Sequence, residues 1–271
     1  MKQCVEVRSS QRLISFLQET LGESYSGKAL RRVLESNGCR VNGQVERFAS
    51  TRVERGDLVE LVSGWQTLCA PQRLSWELLY EDEETKWVNK PAGWVCGEKE
   101  CREQFGEDFW LIHRLDRETT GVLGIAKGKK ALAKWFRLFA EREIHKSYLA
   151  IVDGKPAKKG GEIRTFLQRK GFFAGQTIWG SGESGLEAIT GWELVQLGHD
   201  SSLVRCKPIT GRTHQLRVHL AEMGHPIVID RQYAKKFVTR RSARRPLLHA
   251  EAIKTPSFSV QAPLPADLTL L

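Results

Sequence analysis

Apolar positions near the start of the chain recur at helical spacing. Leu13, Ile14, Phe16, Leu17 and Leu21 place an amphipathic helix that runs up to Gly22. Ala29, Leu30, Val33 and Leu34 place a second, with Ser26 able to cap its start and Gly38 to stop it. The period then shortens. Val41-Asn42-Gly43-Gln44-Val45 reads as a tight turn with strand-like flanks, and Arg55-Gly56-Asp57 turns into the alternation Leu58-Val59-Glu60-Leu61-Val62. Residues 11 to about 63 therefore read as a compact unit of two helices followed by strands. Gly64, Thr67, Ala70 and Pro71 shift the composition toward that of a linker over 64–73.

Beyond the linker the signals are mainly of strands. Residues 76–80 and 86–89 flank the acidic turn Glu81-Asp82-Glu83-Glu84 as a hairpin that leads into Lys90-Pro91-Ala92-Gly93. Leu111 and Ile112 end one apolar run, Gly121 to Ala126 form another, and a polar segment lies between them. Over 129–142, Leu132, Trp135, Phe136 and Phe139 predict a helix whose aromatic side packs on a sheet. Further strands are predicted at 147–152, 163–167, 189–196, 203–206 and 248–253, with glycine-rich and basic connections at 155–161 and 180–185. A helix over 213–223 carries Leu216, Val218 and Leu220 and stops at Gly224. No regular βαβ alternation is present, so an α+β domain on a mostly antiparallel sheet is favoured over a doubly wound parallel one.

With 42 Lys+Arg against 32 Asp+Glu the net charge is +10, and that sign favours a polyanionic partner. The six cysteines form no Cys-x-x-Cys pair, and none sits at zinc-site spacing from a histidine, so they read as reduced thiols in a cytoplasmic protein. The first ten residues lack the apolar stretch of a secretory signal, and no apolar run approaches a membrane span.

Asp116 is the centre of the polar segment between the two apolar runs. On the residues alone two readings stand: a surface loop in which Asp116 pairs with Arg114 or Arg117, or a carboxylate held for chemistry by core at both ends of its loop. The wider pattern bears on the choice. His113-Arg114-Leu115-Asp116-Arg117-Glu118-Thr119-Thr120-Gly121 resembles the H-R-L-D-x-x-T-S-G signature of the RluA-type RNA pseudouridine synthases. Upstream, Asn89-Lys90-Pro91-Ala92-Gly93 is similar to the N-K-P-x-G segment of that family, and downstream Lys146-Ser147-Tyr148-Leu149-Ala150 resembles its K-x-Y-L-A element. Gly211 to Leu220, with Gly224-His225-Pro226 behind it, resembles its G-R-T-H-Q-[IL]-R-V-H block, and Leu248-His249-Ala250 and Ala262-Pro263-Leu264-Pro265 complete the order. Any one of these elements is a weak signal, whereas their common order is a specific one. Thr120 stands where the family usually has Ser, and Ile229 where Gly usually precedes Asp230. The first unit, with its R-L-x-x-F-L, V-N-G and G-D-x-[VI] pattern, resembles the alpha-L RNA-binding motif.

These resemblances imply an α+β catalytic domain over 74–271, mostly antiparallel with a mixed sheet, behind a small α+β RNA-binding module over 1–63. They imply an isomerase that converts a uridine in structured RNA, ribosomal RNA ahead of transfer RNA, into pseudouridine. Asp116 is then the essential carboxylate, Arg217 its salt-bridge partner, and Tyr148 the aromatic under the flipped base. Arg114 is implied as a wedge or a phosphate contact, and Arg31, Arg32 and Arg40 are expected to supply phosphate contacts. The isomerisation conserves every atom, so no metal or cofactor is expected. His113, His214 and His219 read as structural or RNA-facing, since the offset of five between His214 and His219 suits no shared ligand face of a helix. The chain is expected to act as a cytoplasmic monomer. Two other classes stand beside this reading: an RNA-binding or ribosome-assembly protein without activity, and a hydrolase pairing Asp116 with a second carboxylate. The second is disfavoured because no other acidic residue lies near Asp116 in the matched blocks.

Overall fold

The computed structural model describes residues 3–269, apart from 23, 70–73, 75, 174, 175 and 235. The amino-terminal unit holds β1 (Gln3–Glu6), β2 (Gln11–Arg12), α1 (Leu13–Leu21), α2 (Gly27–Glu35), β3 (Cys39–Val41), β4 (Gln44–Val45), β5 (Arg52–Val53), β6 (Leu58–Leu61) and α3 (Gln66–Cys69). Both predicted helices are present, and the Ser26 side chain accepts a hydrogen bond from the Ala29 amide at 3.2 Å. Asn42 and Gly43 both take positive φ, 52° and 79°, which suits the tight turn between β3 and β4.

Two features differ from the expectation. β1 adds to the small sheet by pairing with β6; its sequence, Gln-Cys-Val-Glu, lacks an apolar face strong enough to announce a strand. The segment read as a linker begins as core instead: Trp65 is buried among Leu30, Val33, Leu34 and Leu61, and the Cys69 carbonyl accepts from Arg32 at 2.8 Å. The rest of that segment, 70–73, lies outside the described residues.

The second unit continues with β7 (Glu77–Glu81), β8 (Thr85–Lys90), α4 (Glu98–Phe105), β9 (Phe109–Leu111), β10 (Thr120–Lys127), α5 (Lys129–Ala140), β11 (His145–Asp153), β12 (Gly160–Phe173), β13 (Gln176–Gly182), β14 (Leu186–Leu197), β15 (Ser201–Pro208), α6 (Gln215–Glu222), β16 (Leu248–Lys254) and β17 (Ser259–Gln261). The large sheet has the order β13-β12-β14-β15-β11-β16-β10-β8-β7, with β9 beside β10 and β17 beside β16. Among the described residues β10 and β16 run parallel and the other pairs antiparallel, so the mixed, mostly antiparallel α+β expectation holds.

Helices α5 and α6 cover the sheet. Trp135 of α5 packs edge-on against Trp87, while Phe136 is 53% exposed and does not belong to the buried face assigned to it from spacing. α6 buries Leu216 and Leu220 against Ile151, Val204 and Leu248. Residues 180–185, read as a connection, are partly strand. β13 pairs with the end of β12 as a long hairpin interrupted by Gly171, Gly180 and Gly182, and those glycines hide its strand pattern.

The two units meet along residues 231–243. Arg40 donates to the Arg240 carbonyl at 2.6 Å, the Ala243 amide donates to the Ser36 carbonyl at 3.1 Å, Arg231 lies 3.9 Å from the Glu35 carboxylate, and Arg47 stands over the Phe237 ring.

Candidate active site

The loop carrying Asp116 joins β9 to β10 and is fixed at many points. Ile112 and Leu115 anchor its apolar side, and the Gly124 amide donates to His113 Nε2 at 3.1 Å. Lys90, with no exposed surface, donates to the carbonyls of Pro91, Trp94 and Arg117 at 2.8–3.0 Å, so it ties the β8 loop to the residue after Asp116. Burial pushes that ammonium down to about 8. Arg245, 2% exposed, pairs with Asp267 and donates to the Leu248 carbonyl at 2.7 Å and to that of Glu118 at 3.4 Å. Behind the loop, a Cβ on Gly121, whose φ is +110°, would lie 2.1 Å from the Ala250 carbonyl oxygen. The parallel contact of β10 with β16 therefore requires glycine there.

The loop presents Asp116 to Arg217 on α6. Arg217 Nη1 donates to Asp116 Oδ2 at 3.3 Å, as implied by the resemblance. The stronger grip on Arg217 comes from elsewhere. Asp230 takes its Nε and Nη2 in a two-point pair at 2.7 and 2.8 Å, and Gln232 accepts from Nη2 at 2.8 Å. Burial by itself would lower the Arg217 pKa, but the hydrogen bonds and charge of Asp230, with Asp116 behind them, raise it instead.

Glu118, two residues along the same block, already stands against the view that no other acidic residue lies near Asp116 in the matched blocks, and Asp230, outside those blocks, adds a second carboxylate on Arg217. Asp116 and Asp230 share one guanidinium, and two carboxylates against one cation leave the trio an excess negative charge. Asp116 sits on the looser arm with its side chain 28% exposed, whereas that of Asp230 is 1% exposed. The open carboxylate is the one able to reach a substrate. Ile229, immediately before Asp230, adopts φ 72°, a left-handed conformation that a β-branched residue takes only under constraint. In the sequence, that Ile at a usual glycine position was the visible sign of an unusual backbone.

Tyr148 faces the same place from β11, where a register shift between Ser147 and Tyr148 breaks the regular pairing with β16. Burial, and then the charge of Asp116, raises its pKa, so the phenol stays neutral at ordinary pH. Asp116 lines three cavities that share residues; two of them, of about 410 and 430 Å³, open on the Tyr148 and Trp179 sides. His214 stands at the start of α6 with φ 56°, its Nε2 3.9 Å from Asp116 and its Nδ1 2.7 Å from the Tyr233 hydroxyl. Burial lowers its pKa, and the imidazole is neutral. His219 is fully buried between Thr165 and Thr190. Thus His113 and His219 serve the fold, and His214 faces the carboxylate.

Arg114 is exposed at the mouth, and its guanidinium makes no hydrogen bond or ion pair among the described residues. Arg31 is exposed and lines a groove with Arg12 and Arg47. Arg32 borders a cleft of about 660 Å³ that runs from α2 to Arg217 and Asp230. Arg40 departs from the expectation. It is 7% exposed and its guanidinium is engaged with the Arg240 carbonyl, so it joins the two units and does not face solvent.

A model of the RNA pseudouridylate synthase family matches residues 86–222, which include Asp116, Tyr148 and Arg217. The chain is 36% identical over 188 residues to a ribosomal large subunit pseudouridine synthase C of Rickettsia felis, a match covering 65% of this chain and 61% of the relative. It is 29% identical over 276 residues to the protein of that name from Escherichia coli K12, covering 91% and 85%. The matches to the Rickettsia proteins thus span about three-fifths of those relatives' length. Among solved structures, human RNA pseudouridylate synthase domain containing 1 superposes with a TM-score of 0.59 at 28% identity, covering 72% of this chain and 86% of the other. The human domain containing 4 gives 0.58 at 25%, covering 70% and 88%.

Proposed function

The chain belongs to the RNA pseudouridylate synthase family, and from that premise we propose that it isomerises a specific uridine in RNA, ribosomal RNA by preference, to pseudouridine. The reaction breaks the bond from N1 to C1′, turns the base, and joins C5 to C1′, with the C5 proton lost and one taken up at the freed N1. Asp116 supplies the carboxylate at the ribose, acting either on C1′ or on the C2′ proton. Arg217 holds it, and Tyr148 offers a neutral aromatic face to the flipped uracil. Arg114, free at the mouth, is placed to enter the gap the base leaves or to meet a phosphate. The observation that carries this reading is Asp116 itself: partly open, held by one arm of an arginine whose other arms are fixed, and sharing a cavity with Tyr148.

In this reading the amino-terminal unit captures RNA through Arg31 and Arg32, the catalytic domain begins after the 70–73 segment, and the enzyme works as a cytoplasmic monomer. The relatives named as ribosomal large subunit pseudouridine synthases support ribosomal RNA as the substrate. Among the described residues no helix is long and apolar enough to cross a membrane.

The test is to incubate the protein with unmodified large-subunit ribosomal RNA transcript and detect chemically tagged pseudouridine at unchanged RNA mass, beside Asp116→Asn. Conversion by the native protein alone supports the assignment. Near-normal conversion by Asp116→Asn refutes the role of Asp116, and RNA binding without conversion by either protein favours a non-catalytic binder.

A further inference from the structure

Two ammonium groups are desolvated beside the Asp116 loop, and they are satisfied very differently. Lys90 uses its three donors on three carbonyls at 2.8–3.0 Å. Lys146, on β11, has one long bond, 3.3 Å to the Thr210 carbonyl, and no carboxylate within ion-pair reach among the described residues. Its Nζ lies 5.8 Å from the centre of the Phe139 ring and lines the 410 Å³ cavity together with Tyr148, Arg114 and Arg212. Burial pushes it down to about 8, and no acidic neighbour among the described residues opposes the shift. A cation left so incompletely bonded is a donor with room for an anionic acceptor.

The surroundings keep that acceptor position open. A Cβ on Gly211 would come within 3.3 Å of Lys146 Nζ, so the bare glycine leaves one side of the ammonium uncovered. Arg212, next in the chain, is anchored through Nε to the Glu187 carbonyl at 3.0 Å, and its terminal nitrogens make no bond among the described residues. Four cationic residues, Arg114, Arg117, Lys146 and Arg212, line the cavity against one carboxylate, Asp116.

We propose that Lys146 and Arg212, with Gly211 between them, form a phosphodiester subsite that holds the RNA backbone next to the flipped uridine. This rests on the reading of Asp116 and Tyr148 as the site of uridine isomerisation. A monoanionic phosphodiester supplies what the ammonium lacks, short acceptors and an opposite charge, and it fixes the ribose relative to Asp116.

The test measures affinity for unmodified large-subunit ribosomal RNA transcript at several salt concentrations, with single-turnover conversion at saturating RNA, for the native protein, Lys146→Gln and Lys146→Arg. For Lys146→Gln the expected result is binding weaker by roughly tenfold and a salt slope shallower by about 0.7–0.9, the loss falling more on affinity than on rate. Lys146→Arg keeps the native slope. Because Lys146 has no ion pair to lose among the described residues, Lys146→Gln melts no lower than the native protein. An unchanged slope, a loss confined to the saturated rate, or a lowered melting temperature overturns the subsite. Should the native protein convert no uridine, the isomerase reading fails, while the slopes on the same transcript still decide whether Lys146 meets phosphate.

Discussion

Asp230→Asn is the most informative single change in the site. The native carboxylate accepts two charged hydrogen bonds from Arg217 at 2.7 and 2.8 Å with its side chain 1% exposed. Asparagine keeps the shape but offers one acceptor, and its amide hydrogens face the donors of the guanidinium. Breaking one member of a buried ion pair typically costs about 3–5 kcal/mol. Arg217 retains Gln232 at 2.8 Å and Asp116 at 3.3 Å, so the lower end, about 3 kcal/mol, applies here. For a chain of 271 residues that is a drop of roughly 5 °C in melting temperature. Freed from its two-point anchor, Arg217 can follow Asp116 instead of fixing it, and a displacement on the order of 1 Å there lowers the single-turnover rate roughly 100-fold. Asp116→Asn removes only the 3.3 Å arm, so it should abolish conversion with a much smaller change in melting. The assay is thermal unfolding followed by circular dichroism, with single turnover on ribosomal RNA transcript well below the midpoint. If Asp230→Asn melts like the native protein, or Asp116→Asn melts lower than Asp230→Asn, the division of labour between the two carboxylates is wrong.

Three further outcomes follow from the buried histidines and from two arginines of the amino-terminal unit. Burial holds His113 down to about 3 and His219 and His249 to about 4, against about 6.5 unfolded. The unfolded chain therefore binds more protons, and the stability present above about pH 6.5 should be lost as pH falls toward 4, at up to about 1.4 kcal/mol per pH unit for each histidine. Urea titrations between pH 7 and 4 check this, and a flat profile would contradict it. Arg31→Ala should make the salt dependence of RNA binding shallower by about 0.7–0.9 without altering the melt. Arg40→Ala should do the reverse, leaving the slope alone and lowering stability by about 1.5–3 kcal/mol, the worth of a hydrogen bond from a charged group.

The parts of the fold that were legible in the sequence are those where burial imposes a period. α1, α2 and α5 announce themselves through apolar spacing, as do the central strands, whose side chains face core. β1, β13 and the outer end of β12 do not, because an edge strand and a glycine-interrupted arm have little apolar face to display. Asp116, Tyr148 and Arg217 were legible through ordered short motifs, and the structure brings these three together. Asp230 was not, since a carboxylate in a loop looks the same whether it is solvated or clamped on an arginine; only the left-handed turn at Ile229 distinguishes it. Phe136 and Arg40 failed in opposite senses. An aromatic one step off a helix stripe can point into water, and an arginine beside a basic helix can be used up on a carbonyl.

The stretch that begins with Asp230 and Gln232 and continues through 231–243 has a bearing on chimeras. Its start grips Arg217, and its later residues receive Arg40, Arg47 and the Ser36 carbonyl from the amino-terminal unit. An amino-terminal unit borrowed from another protein would be seated by contacts belonging to the same stretch that grips Arg217. A working graft has to transplant the Arg40 and Arg47 surface, or its receiving stretch, along with the unit itself. An exchange cut cleanly at the 70–73 segment would bring a new amino-terminal surface while unseating the stretch that grips Arg217.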